Sequence, residues 1–485
     1  MYLGLDLGTS GLKALLIDES QSIIGSANSD LTVSRLQPKW SEQSPSDWIA
    51  AAEMVLARLS QDYPKEMHAV RGIGLSGQMH GATLLGESDQ VLRPCILWND
   101  TRSHEEAAQL DVNPSFRRIS GNIVFPGFTA PKLMWVKKHE PELFDKIYKV
   151  LLPKDYLRLW LTGEYVGEMS DASGTSWLDT GKRQWSTELL SATGMEISQM
   201  PRLVEGTQIS GQLRTKLAEH FGMSPKAIVA GGAGDNAASA VGMGTVAEGT
   251  AYISLGTSGV LLAANSSYMP NPESALHTFC HALPRAWHQM GVVLSAADSL
   301  NWFANLNQTK AVDLSSELDQ ELTAPGNILF LPYLNGERTP HNDAFIRAGF
   351  FGMGHKSDRK AMTQAILEGV TFAFRDNLEA LHKAGTELQR VTAVGGGSRS
   401  TLWLKMISTA LGIPVDRPVE GDFGAAFGAA RLGLIAAENC DPLDVCQPPA
   451  LSEVIEPDLN LKPQFDEAFA RYQSLYQALK PHSFR

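Results

Sequence analysis

The sequence predicts two α/β domains that face each other across a cleft. Three observations point to this. The pentapeptide Leu-Gly-Thr-Ser-Gly occurs at Leu7–Gly11 and again at Leu255–Gly259. Each copy lies between two short apolar runs, the pattern of a β-hairpin closed by a tight glycine-containing turn. Each half also repeats one order of elements, β-β-β-α-β, whose fourth strand ends in a polar, glycine-rich loop. A chain of 485 residues is too long for one hydrophobic core and suits two domains.

In order along the chain, strands are expected at Leu3–Leu7, Leu12–Asp18 and Ile23–Ser29. Ser44-Pro45-Ser46-Asp47 reads as a helix start. It offers a capping hydroxyl, a proline in the first turn and a carboxylate three residues after the cap. The helix continues through Trp48–Ala52, and Ala69–Leu75 is the fourth strand, running into Ser76–Gly81. Residues 100–225 mix helix and loop signals and read as insertions on a first domain of residues 1–245. Ala227–Ala230 is a short buried strand leading into Gly231–Asp235. In the second domain, residues 246–485, strands are expected at 251–255, 260–264 and 287–294, and helices over 296–306 and 358–383. A strand at 390–394 ends in Gly395–Ser398. A helix over 401–411, a strand at 414–419 and a small-residue helix over 423–437 follow. Phe465, Phe469, Tyr472, Tyr476 and Leu479 have the spacing of a helix docked by its apolar face.

In both repeated turns, glycines and small hydroxyl residues present backbone N–H groups and hydroxyls, which is the chemistry a phosphate chain needs. The net charge of −12 argues against a nucleic acid or an anionic membrane as partner. It also means that a polyphosphate here would rely on backbone amides, helix N-termini and a divalent cation rather than a basic patch. Hydrophobic residues make up 43% of the chain and charged residues 19%, the balance of an ordinary globular protein. Cys95, Cys280, Cys440 and Cys446 are scattered and fit reduced thiols in the cytoplasm. No apolar run reaches about 18 residues, so no membrane span is expected.

Several residues are candidates for chemistry. Asp235 follows a glycine-rich run and opens a helix of small residues, so it reads either as a simple helix cap or as a carboxylate that substrate can approach closely. Asp6 ends the first strand just before the first turn. It suits the shell of a Mg²⁺ ion beside phosphate, or an Asx turn. Gln78-Met79-His80 ends the fourth strand, where a polar substrate could be read. His277, Cys280, His281 and His288 are metal-ligand residue types without a clean ligand spacing. Gly395–Ser398 could lie against a flat base or its ribose. The small-residue helices after Asp235 and Gly424 could cross closely and act as a hinge. No Gly-x-x-x-x-Gly-Lys-Ser/Thr loop and no Gly-x-Ser-x-Gly elbow occurs. Gly232–Ala237 matches a dinucleotide pattern loosely, but no acidic residue for a ribose follows in the next strand.

The opening Gly4–Ser10, the central Gly231–Ala237, the Ser254–Gly259 turn and Gly395–Gly397 together resemble the FGGY carbohydrate kinases. Gly127–Val136 resembles that family's first signature and Gly349–Glu368 its second, with a departure at Ala361. The resemblance implies two RNase H-like domains of the actin-like ATPase fold flanking a central cleft, the first binding sugar and the second nucleotide. Trp40–Gln43, Ser76–Gly81 and Leu97–Arg102 are similar to segments of members that act on D-xylulose. That similarity implies transfer of the γ-phosphate of ATP to its 5-hydroxyl. Residue by residue, it implies Asp235 as the base and Met79, His80, Asp235 and Asn236 as sugar contacts. Asp6 would stand near Mg²⁺, directly or through water. Thr9, Ser10, Gly256, Thr257, Gly396 and Gly397 would hold the nucleotide, and Thr401 stands about where some relatives have Asn near the adenine. The implied partners are ATP and a small sugar, with a homodimer as a candidate assembly. Ribulose, glycerol, gluconate and erythritol are alternative substrates within the family. An actin-like ATPase working through protein partners is the rival from another class, and a dinucleotide oxidoreductase is the third reading.

Overall fold

The structure, a computed structural model, describes residues 1–419, 421 and 423–483. The first hairpin is β1 (Tyr2–Leu7) with β2 (Gly11–Ile17), and β3 (Ile23–Asp30) adds antiparallel to β2. Helix α1 (Pro45–Asp62) packs on β2 and β3. It starts at the expected proline, but the Ser44 hydroxyl makes no cap. It pairs with the Ser46 hydroxyl at 2.8 Å, a local contact that competes with capping. β4 (Gly72–Gly77) joins β1 in parallel. The apolar runs of β1 and β4 are buried because helices cover both sides of the sheet.

Helices α2 (Thr129–His139) and α3 (Pro153–Thr162) lie within the stretch expected as insertion. That stretch also feeds the first core, since α3 inserts Leu157 and Leu161 there. It further supplies β5 (Ile209–Gln212), which joins the first sheet beside β6 (Ile228–Ala230). The short Ile-Ser-Gly-Gln run of β5 carries too little apolar alternation to announce a strand. With β7 (Ala233–Gly234) paired to β4, the order is β5-β6-β4-β1-β2-β3.

After α4 (Asp235–Met243) the plan recurs. β8 (Ala251–Leu255) and β9 (Gly259–Asn265) form the second hairpin. β10 (His277–Cys280) and β11 (Trp287–Val293) follow, then α5 (Ala297–Leu306), α6 (Arg359–Lys383) and β12 (Val391–Val394). As in the first sheet, the hairpin's first strand has an antiparallel neighbour, β9, and a parallel one, β12. α7 (Thr401–Leu411), β13 (Val415–Pro418), α8 (Ala425–Glu438), β14 (Leu451–Ile455) and α9 (Lys462–Leu479) complete the chain. The second sheet runs β10-β11-β9-β8-β12-β13-β14, and α9 docks through Phe465, Phe469, Tyr472 and Tyr476.

The two copies of Leu-Gly-Thr-Ser-Gly do not fold identically. In the first, Leu7 pairs with Leu12, so Gly8–Gly11 form the connection and Lys13 stands opposite Asp6. In the second, Leu255 pairs with Gly259, the connection is Gly256–Ser258, and Val260 stands opposite Ser254. The surroundings differ: a Cβ on Gly11 would meet the Ser29 carbonyl of β3, whereas one on Gly259 would meet Phe374 of α6 and Ala296. Packing against unlike neighbours, not the repeated sequence, sets the register.

Helix α8 comes from the second half of the sequence yet lies across β1, β2, β4 and β6 of the first sheet. The approach is closest at glycines: a Cβ on Gly74 would fall 1.7 Å from the Ala429 carbonyl oxygen. The expected crossing of the two small-residue helices is present. A Cβ on Gly428 of α8 would sit 1.8 Å from the Ala238 carbonyl oxygen of α4. Arg431 of α8 also donates to the carbonyls of Val241 and Gly242 at the end of α4, at 2.9 and 3.2 Å.

Candidate active site in the cleft

A cavity of about 1150 Å³ lies between the two sheets, at the carboxyl ends of β4, β7 and β12. In doubly wound α/β proteins this is where ligands collect. Met79, His80, Asp235 and Asn236, expected as substrate contacts, all line it.

Asp235 is the first residue of α4, with Gly234 as the N-cap, so its carboxylate is not the cap. Its Oδ1 accepts the Asn236 backbone N–H at 2.7 Å and the Asn236 side-chain amide at 3.0 Å. Those bonds favour the anion, but burial and then the nearby charge of Asp6 outweigh them and push the carboxyl up to about 7. A carboxylate so placed is a stronger base than an ordinary one, which suits it to take a proton from a bound hydroxyl.

His80 follows the end of β4 with a left-handed backbone, φ 67°. Its carbonyl is held by Lys132 Nζ at 2.8 Å and Thr129 Oγ1 at 3.1 Å, both on α2. The ring stacks on Phe128 at 4.6 Å, and Nδ1 donates to the Gly174 carbonyl at 2.8 Å. Burial, with Lys132 adding to it, lowers the imidazole to about 3, so it stays neutral. With Nδ1 donating, Nε2 is left as an acceptor, suited to a substrate hydroxyl. The same logic applies to Lys132, whose ammonium burial lowers to about 7.

The first repeated turn flanks the cavity, whereas the second contributes Ser258 to its lining. Asp6 stands in register with Ser76 of β4 and close enough to Asp235 to raise it. The Thr9 hydroxyl donates to Gln78 Oε1 at 3.1 Å and accepts the Trp98 indole N–H at 2.9 Å. Ser10 is exposed at the tip. In the second turn, the Gly256 and Thr257 carbonyls accept the backbone N–H groups of Ala297 and Ala296 at 2.9 Å, while Ser254 and Ser258 line the cavity. Gly396 and Gly397 adjoin the lining residues Gly395 and Ser398. A Cβ on Gly396 would meet open space, and one on Gly397 would meet Leu255 and Trp403. Thr401 receives Arg417 Nη2 at 3.0 Å.

Sequence reasoning missed several lining residues. Trp98, 48% exposed, spreads its ring on the cavity. Arg338 lies over the Phe125 ring at 4.4 Å and within 3.3 Å of His277 Nε2. Arg399 and Arg417 line the opposite end, so the cleft is more cationic than a net charge of −12 suggested. Net charge averages over the whole surface, and no local spacing marks these arginines. Among the described residues, no group of three or more His, Cys, Asp or Glu side chains could hold a metal ion. His277, His281 and His288 are all buried, and His277 lines the cavity. All four cysteines are free thiols, and no described helix is long and apolar enough to cross a membrane.

A duplicated α/β fold closing on such a cavity has direct counterparts. The model of the FGGY family of carbohydrate kinases, N-terminal domain, matches residues 1–242, and that of the C-terminal domain matches residues 251–437. The chain therefore belongs to the FGGY family of carbohydrate kinases and is an ATP-dependent sugar kinase. It is 45% identical to the xylulose kinase of Escherichia coli K12 over 486 aligned residues, 99% of each chain. A crystal structure described as a xyloylose kinase from Brucella ovis superposes with a TM-score of 0.99 at 62% identity, covering 99% of this chain and 100% of that one. The xylulose kinase of Rhodospirillum rubrum superposes with a TM-score of 0.92 at 28% identity, covering 99% of each chain.

Proposed function

We propose that the chain transfers the γ-phosphate of ATP to the 5-hydroxyl of D-xylulose, giving D-xylulose 5-phosphate, with Asp235 as general base. The observation that carries this reading is that the Asp235 carboxylate and the His80 imidazole, whose Nδ1 is committed to the Gly174 carbonyl, line one cavity. The names of the full-length relatives support xylulose as the sugar.

In this reading the sugar lies against Met79, His80, Asn236 and the Trp98 ring, with its reacting hydroxyl at Asp235. His80 Nε2 and the Asn236 amide take the remaining hydroxyls. In a loose phosphoryl-transfer transition state the proton leaves late, so Asp235 first orients the hydroxyl and then accepts its proton. The nucleotide occupies the end near Gly395, Ser398 and Arg417. The backbone amides of the Thr9–Ser10 and Gly256–Thr257 turns face its phosphates, and Gly396 and Gly397 lie beside the base. The Thr9 hydroxyl, engaged with Gln78 and Trp98, serves the turn's shape instead.

Mg²⁺ would enter with ATP, whose phosphates supply ligands to it, and meet Asp6, since this ion is commonly held by one or two carboxylates together with substrate phosphates. When bound it neutralises phosphate charge. Asp6→Asn is expected to raise the Mg²⁺ concentration for half-maximal rate several-fold. An unchanged Mg²⁺ titration would return Asp6 to a structural turn role. The reading also places the enzyme in the cytoplasm, where ATP and reduced thiols coexist.

ADP release measured with D-xylulose, D-ribulose, glycerol, gluconate and erythritol tests the assignment. D-Xylulose is expected to give the highest kcat/KM by about tenfold or more. A different preferred sugar would overturn the substrate, and sugar-independent turnover would favour an ATPase.

A further inference from the structure

The phosphoryl-transfer reading leaves unused a buried cluster of five charged side chains behind the catalytic loop. Lys154, Asp155 and Arg158 come from α3, and Glu168 and Asp171 from the segment that follows it. All five side chains are essentially inaccessible to solvent. Lys154 Nζ lies 2.8 Å from Asp155, 3.3 Å from Glu168 and 3.1 Å from Asp171. Burial raises the Asp171 carboxyl well above the usual range.

Such a cluster is a poor way to stabilise a fold, since well-packed apolar residues often do as well or better. What it supplies that apolar residues cannot is directed hydrogen bonding to backbone groups. Those bonds converge on one place. Arg158 Nη1 donates to the Ala230 carbonyl and Nη2 to the Gly231 carbonyl, each at 2.6 Å. At the other end of the loop, the Gly234 N–H donates to Ser170 Oγ at 3.0 Å. Ser170 Oγ in turn donates to Glu168 Oε1 at 2.9 Å, and Glu168 also accepts the backbone N–H groups of Ser170 and Asp171. Between these anchors lie Gly231, Gly232, Ala233 and Gly234, a run with unusual backbone freedom. The next residue is Asp235. The stem of Lys154 also packs under Gly77, which pairs with Gly234 and leads to Met79 and His80.

We infer that this cluster, through Arg158 at one end of the loop and the Glu168–Ser170 relay at the other, is a positioning device that fixes where the Asp235 carboxylate meets the acceptor hydroxyl. The inference rests on Asp235 as the base. Positional error of about 1 Å at a reacting group can cost on the order of 10²-fold in rate, so releasing one anchor should appear in kcat rather than in KM.

Steady-state kinetics and thermal melting of Ser170→Ala, Ser170→Thr, Glu168→Gln, Asp235→Asn and the Ser170→Ala/Asp235→Asn double variant test this. Ser170→Ala is expected to lower kcat about tenfold while KM for sugar and for ATP stays within about twofold. Ser170→Thr, which keeps the hydroxyl, should recover most of the rate, and Glu168→Gln should fall between. The double variant should be no slower than Asp235→Asn, because an anchor acting through Asp235 has nothing left to position. A Ser170→Ala enzyme with wild-type kcat, a Thr variant as slow as the Ala variant, or a multiplicative loss in the double variant would overturn the inference. If Ser170→Ala does not fold, Glu168→Gln is read by the same kcat-against-KM criterion. An Asp235→Asn enzyme at wild-type rate would remove the base itself. A slow Asp235→Asn enzyme beside an unimpaired Ser170→Ala enzyme would remove only the positioning role.

Discussion

Asp235→Asn is expected to lower kcat by about 10²-fold or more while leaving the sugar KM within a few-fold. Asn has nearly the same shape and can still accept from the Asn236 N–H, so binding geometry survives and basicity does not. The pH dependence follows from the raised carboxyl. Its ionised form is the base, so kcat/KM for the sugar in the wild type, which reports the free enzyme, should rise with pH through about 7 and level off above it. The variant should lose that limb. A variant within a few-fold of wild type, or one that keeps the same pH limb, would take the base role away from Asp235.

Stability should move in the opposite sense. The folded-state carboxyl lies near 7 and its ordinary value is 3.8, so the folded state holds the proton more tightly than the unfolded chain. That contribution is fully present below about 4 and is lost as pH rises through about 7. Above pH 7 the wild type carries a strained carboxylate beside Asp6, and Asp235→Asn does not. The variant should therefore melt higher than wild type at pH 8, and the difference should vanish near pH 4. Parallel melting curves at the two pH values decide this.

Gly428→Ala is expected to be among the most damaging single-methyl changes in the molecule. The added Cβ would stand 1.8 Å from the Ala238 carbonyl oxygen. No rotamer relieves a Cβ, so α8 and α4 must move apart. Overpacking of this kind costs about 1–3 kcal/mol, and here the displaced helix begins with Asp235. The loss should therefore appear in kcat of the folded fraction as well as in the melting temperature. Gly354→Ala is the control, since nothing lies within 4 Å of a Cβ there. It should stay within about 0.5 kcal/mol of wild type. Equal behaviour of the two variants would mean that the helices do not cross as closely as described.

Much of the scaffold was legible because it is written in local periodicity. The hairpins, the helix expected over 358–383 and found at Arg359–Lys383, and the docking stripe of α9 all follow from spacing. Asp235, Met79 and His80 were legible as candidates because each follows a strand at a glycine-containing or polar turn, whereas Asn236 came only from the family resemblance; all four line the cavity. What could not be read depends on residues far apart in sequence. Arg338 sits in a loop with no distinctive pattern and matters only because the fold brings it to His277 and Phe125. The engagement of Thr9 with Trp98 spans 89 positions. The unequal registers of the two repeated turns depend on packing partners that a repeat cannot encode.

The placement of α8 has a consequence for how the protein is made. The first sheet is complete in sequence by residue 234, but the helix that covers one of its faces ends at residue 438. At ~5–20 residues per second, the ribosome needs roughly 10–40 s to synthesise the intervening chain. During that interval the glycine-studded face of β1 and β4 has no native cover. The first half is therefore not a unit that can finish folding before the second is synthesised, and a fragment ending near residue 245 would expose the surface on which α8 belongs.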